Sequence, residues 1–229
     1  MQNAGAKRDR AQCSGGDSTA IRKWSHLLLA ALAVGAAIGV LSVLGERVAG
    51  RALTIVVNLA SPWALAALVM GRLAASPRRG ALVGGVTLLV AMATFYLLTP
   101  FPYVRSARDV VWTLVAVIVG PVMGLCGGLL AADRGQWHTV AVVVPSAMLL
   151  AEATWVAIDR RILLSNFQRE AYRLIDVAIL LAFIALALEL PWLLVIERRR
   201  LPAIYLAIFV AGLVGASGFE VLQRLLLQL

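Results

Sequence analysis

Charge is scarce in this chain, and acid is the scarcest part of it. Asp and Glu together number 12 in 229 residues, and charged residues of both signs make up only 14%. There are two cysteines and two histidines. Cys13 lies in a polar leader and Cys126 inside an apolar run, so neither a disulfide framework nor a Cys/His metal spacing is present. His26 and His138 stand at the ends of apolar runs with no motif around them. No H-E-x-x-H, G-x-S-x-G or P-loop pattern occurs. The expectation is therefore a protein that is not an enzyme, with no catalytic residues, no metal and no cofactor.

Apolar side chains fill the space that charge leaves. Hydrophobic residues are 61% of the chain and the mean hydropathy is +0.88. A soluble domain of this length has no interior large enough for that much apolar surface. The net charge of +9 does not point to nucleic acid, because the basic residues sit in short clusters at the ends of apolar runs. The lipid bilayer is the expected partner, with a second membrane protein or a further copy of the chain beside it.

Seven apolar runs have the length of a membrane span, at roughly 26–45, 52–71, 80–99, 110–132, 139–158, 174–196 and 203–222. The fold class is all-α, a polytopic transmembrane helix bundle. Six spans is the alternative, because the last run ends in the amphipathic FEVLQRLLLQL and has a surface position open to it. Residues 1–24 are polar and basic and are expected to form a disordered cytoplasmic tail, with 25–229 as one transmembrane domain. With the N-terminus inside, the inner loops hold twelve Lys and Arg and the outer loops nine. The expected location is a bacterial cytoplasmic membrane. Gly35 and Gly39, Gly80 and Gly84, Gly120 and Gly124, and Gly124 and Gly128 have the G-x-x-x-G spacing that brings helix backbones together in lipid.

One stretch breaks the apolar pattern. VVNLASPWAL, residues 56–65, places Asn58, Ser61, Pro62 and Trp63 inside a span. Pro62 is expected to kink that helix and free the carbonyl of residue 58. Pro121, Pro145 and Pro191 are expected to bend later spans. Trp63 is too deep for the interfacial aromatic belt and is expected to face the bundle or a cavity. Glu152 and Glu189 are carboxylates well inside spans, where an ionisable group is costly and usually functional or paired. Asn58 and Glu152 both lie about 9 Å below the outer end of their spans at 1.5 Å per residue. Asn58, Ser61, Trp63, Glu152 and Glu189 are the candidate polar pocket. The alternative is that these groups only bond neighbouring helices and lock the packing. Pro62–Trp63 and Pro191–Trp192 also suggest two parallel three-helix repeats around a central linker helix.

The runs NLASPWALAALVMGRL, GALVGGVTLLVAMATFYLL, VVWTLVAVIVGPVMGLCGGLLA and PSAMLLAEATWVAI resemble a family of uncharacterised bacterial integral membrane proteins. The residues that carry the resemblance are Asn58, Pro62, Trp63, Trp112, Gly120, Pro121 and Glu152, within 30–158. It implies a membrane protein and no particular activity. Bent helices and buried acids favour a small-solute or ion transporter, or its membrane-embedded binding component. The alternative is a scaffold or accessory subunit that packs against other membrane proteins.

Overall fold

The computed structural model describes residues 5–48, 59–99, 107–132, 136–159, 170–195 and 198–227, with side chains described over narrower parts of these ranges. Among the described residues the chain is all-helical. The helices are α1 (Gly5–Val48), α2 (Ala60–Leu73), α3 (Pro77–Leu98), α4 (Ala107–Ala132), α5 (Gln136–Asp159), α6 (Glu170–Leu194) and α7 (Leu201–Leu227). A single 3₁₀ turn, Arg198–Arg200, leads into α7. A backbone surrounded by lipid must satisfy its own N–H and C=O groups, which is why apolar runs of this length become helices.

Among the described residues six helices are long and apolar enough to cross a membrane, with candidate spans Lys23–Gly45, Pro77–Leu98, Val110–Ala132, Trp137–Ile158, Val177–Leu194 and Arg198–Gly218. The short element is not the last run, as the sequence suggests, but α2. Its 14 residues reach only about 21 Å, less than the ~30 Å of a bilayer's hydrocarbon core. Even so, the chain must recross the bundle there. Gly35 of α1 packs on Thr87 of α3, Gly39 packs on Ala91 and Thr94, and the Arg79 guanidinium lies 5.5 Å over the Trp24 ring. These pairs advance together along both helices, so α1 and α3 run parallel. The return lies between Val48 and Pro77, and α2 is the helix described within it. Residues 49–58, with Asn58, lie outside the described residues.

The turn from α2 to α3 is built by its residues. Ala75 has a left-handed backbone, φ 53°, where glycine is the usual occupant. Ser76 caps α3 by accepting the Arg79 N–H at 3.4 Å, and Pro77 fits the first helical position, where no N–H is needed.

Glycine sets the closest packing. A Cβ on Gly84 would stand 2.5 Å from the carbonyl oxygen of Gly120, and one on Gly124 would collide with the carbonyl of Gly80. Gly71 of α2 meets Gly124 as well, and Gly127 meets the carbonyl of Leu68. Helices α2, α3 and α4 therefore cross backbone to backbone, as the G-x-x-x-G spacings at 80/84 and 120/124/128 predict. Gly71 and Gly127 join this junction without belonging to those spacings.

Around it, α5 is the hub: more than half of its span is buried, whereas α6 and α7 are mostly exposed. It packs on α2, α4, α6 and α7. In the first triplet α3 lies between α1 and α2, whereas in the second α5 lies between α6 and α7. The middle place is taken by the third helix in one triplet and by the first in the other. The two triplets are therefore not parallel copies, and the Pro-Trp pairs do not mark a repeat.

Candidate functional site

Helix α2 begins inside the bundle. Its N-cap residue, Leu59, is extended (φ −84°, ψ 141°), is only 4% exposed and has no side chain able to cap a helix. A helix leaves four N–H groups without an acceptor of its own, here those of Leu59 to Pro62. In lipid each unsatisfied group costs several kcal/mol.

The acceptor comes from another helix. Glu152 of α5 is 2% exposed, and its two carboxylate oxygens divide the work. The Ala60 N–H donates to Oε1 at 2.6 Å and the Ser61 N–H donates to Oε2 at 2.7 Å. Pro62 has no N–H to satisfy. Two of the four donors are thus bound and a third does not exist. The negative carboxylate also sits at the positive end of the α2 dipole, the place that favours it.

This corrects the reading of Pro62 as a mid-span kink. It is the third residue of α2, in the first turn, where proline breaks no helical hydrogen bond. Pro121, Pro145 and Pro191 do lie inside helices α4, α5 and α6.

Ser61 contributes more than its N–H. It is 1% exposed, and its hydroxyl lies close to the Glu152 carboxyl, yet Oγ meets no partner in hydrogen-bonding geometry. Other hydroxyls in the bundle bond back one turn: Thr87 Oγ1 donates to the Val83 carbonyl at 2.9 Å and Thr154 Oγ1 to the Leu150 carbonyl at 2.8 Å. Ser61 stands in a first turn, so no turn of α2 lies beneath it to supply that carbonyl. It lines a narrow crevice with Ala64, Leu65, Met123, Pro145, Met148 and Leu149, between α2, α4 and α5. Ser146 Oγ is buried without a partner too, on α5.

Among the other candidates, Trp63 is half-buried against the core and meets Phe95 of α3 edge-on, with ring centroids 6.5 Å apart. Glu189 lies on the exposed face of α6 and takes no part in the junction. Arg47, Arg51 and Arg105, which flank the outer ends of the first three expected spans, lie outside the described side chains. The structure thus joins Ser61 to Glu152 and leaves Glu189 out. What sequence reasoning missed is the pair of backbone N–H groups at Ala60 and Ser61. The signal for them was Pro62 itself, since proline favours the first turn of a helix.

The family model of DUF6518, a family of unknown function, matches residues 18–227, and the chain belongs to that family. No curated protein and no solved structure matches the chain. Family membership and six apolar helices together make it a multi-pass membrane protein in contact with the lipid bilayer.

Proposed function

We propose that this protein moves a small solute or ion across its membrane, with the start of α2 and Glu152 as the working part. One observation carries this reading: a helix begins inside the bundle, and its free N–H groups are held by a buried carboxylate from another helix. Interrupted helices whose N-termini face anionic groups are how many transporters build their sites. Such a carboxylate is also a movable clamp. Gaining a proton or a cation weakens its hold on α2, and α2 otherwise touches α5 only briefly.

A second reading has its own support. Helices α2, α3 and α4 meet backbone to backbone at glycine, and the crevice beside Ser61 is too narrow to admit a water molecule. A scaffold or accessory subunit needs nothing more than such a closed core, with Glu152 as a permanent helix cap.

Access from water separates the two. In a background with Cys13 and Cys126 replaced by serine, Ser61→Cys is placed in liposomes and treated with a membrane-impermeant thiosulfonate reagent. The transport reading predicts labelling of the folded protein. Labelling only after denaturation supports the scaffold. A bacterial plasma membrane with the N-terminus inside is part of the same proposal, and reporter fusions test it.

A further inference from the structure

The buried start of α2 is built to hold one negative charge. Two N–H groups point at one spot, from Ala60 and Ser61, at the positive end of the helix dipole. The Ser61 hydroxyl stands in the same first turn, 1% exposed and without a hydrogen-bond partner, and it lines the crevice between α2, α4 and α5. The Glu152 carboxylate uses two of these three donors. The third donor, the Ser61 hydroxyl, is buried close to the carboxyl without reaching hydrogen-bonding geometry, so the seat holds one donor that Glu152 in this position does not engage.

No described cation fixes Glu152 in place. The titratable or charged side chains described on the helices packed against α5 are Arg72 on α2, Cys126 on α4, Glu189 on α6, and Tyr205 and Glu220 on α7, with the three arginines Arg198–Arg200 leading into α7. None of them bonds or pairs with Glu152, whose partners are the N–H groups at the start of α2. A proton on the carboxyl removes its charge and turns one of its two acceptor oxygens into a donor. One N–H then loses its acceptor, and the end of α2 is left positive.

We infer that this seat binds a small carboxylate-sized monoanion when Glu152 takes up a proton and swings away. The inference rests on the transport reading and gives it a substrate class: a monoanion carried with one proton, the pair being electrically neutral. The three donors are two backbone N–H groups and the Ser61 hydroxyl, and the anion's charge replaces that of Glu152 on the α2 dipole.

Formate, the smallest carboxylate, is the probe. Glu152→Ala empties the seat, so the variant in detergent melts below the wild type, and formate at about a hundred times its dissociation constant restores at least half of the lost melting temperature. The wild type binds formate with one proton taken up, so its affinity strengthens as the pH falls, by up to about tenfold per pH unit while Glu152 is still ionised and levelling off once it is protonated. Ser61→Ala melts as the wild type does and binds formate about tenfold more weakly, the loss of one hydrogen bond. Should Glu152→Ala fail to fold, the pH dependence and Ser61→Ala stand as the test. Equal restoration of Glu152→Ala by chloride and sulfate at the same ionic strength overturns the inference, as does pH-independent formate binding to the wild type. Labelling of Ser61→Cys without any formate effect overturns the monoanion and leaves transport standing. Formate rescue without labelling keeps the seat and removes transport.

Discussion

Glu152→Gln is the substitution most often chosen to remove a charge while keeping shape, and in this protein it does not keep the chemistry. Both carboxylate oxygens accept, one from Ala60 at 2.6 Å and one from Ser61 at 2.7 Å. Glutamine has one carbonyl oxygen. Its amide nitrogen is a donor and meets an N–H that also donates. One charge-assisted bond, worth about 1.5–3 kcal/mol, is lost, and the other becomes an ordinary neutral bond. The interaction with the α2 dipole, about 0.3–2 kcal/mol, goes as well. Losing a buried charge offsets part of this. The expected net destabilisation is about 2–4 kcal/mol. Glu189→Gln is the matched control, because that side chain is exposed on α6 and its change should stay within about 0.5 kcal/mol. Thermal or denaturant unfolding in detergent, read by tryptophan fluorescence, measures both. A Glu152→Gln variant as stable as Glu189→Gln refutes the capping geometry. A loss of transport in Glu152→Gln has to be read against its stability before it is assigned to charge.

Other expected outcomes follow from single features of the bundle. Gly124→Ala puts a methyl group against the Gly80 carbonyl and costs about 1–3 kcal/mol, whereas Gly218→Ala, with nothing within 4 Å, gains up to ~1 kcal/mol of helix propensity; unfolding of the two variants compares them. Ala75→Gly relieves the left-handed backbone at φ 53° and should raise the melting point, by about 1 kcal/mol of stability. Ser76→Ala removes the cap of α3 and costs about 0.5 kcal/mol, at the low end for caps because the bond is long at 3.4 Å. Reporter fusions should place the two termini on opposite sides, because α1 and α3 run parallel and the chain has to return between them.

Much of the architecture was legible in the sequence because the bilayer reduces it to counting. The third to seventh apolar runs became helices within a few residues of the expected ends, as with 139–158 and Gln136–Asp159, whereas α1 starts well before the run 26–45 and α2 well after the start of 52–71. The glycines at 80, 84, 120 and 124 became close contacts for the reason their spacing suggests. What the sequence hid was where α2 starts. A proline in an apolar run reads equally as a kink or as a first turn, and the choice depends on whether an acceptor lies nearby. That acceptor, Glu152, is 92 positions from Ala60, so no local pattern contains it. Sequence reasoning looked for a side-chain partner of Glu152 in the 58–61 stretch, whereas the partners in the structure are the backbone N–H groups of Ala60 and Ser61. Glu189 shows the reverse. By depth alone it looked equivalent to Glu152, but it projects from a peripheral helix, and sequence does not reveal which face of α6 the bundle leaves open.

The contact between Glu152 and the start of α2 holds the site together, and a structure determined by electron cryo-microscopy in a lipid nanodisc tests it most directly. The prediction is that α2 starts at Ala60, with the Glu152 carboxylate oxygens within about 3 Å of the Ala60 and Ser61 nitrogens. A helix running unbroken through Ala60 would contradict it, and so would a Glu152 carboxylate paired with an arginine and turned away from α2.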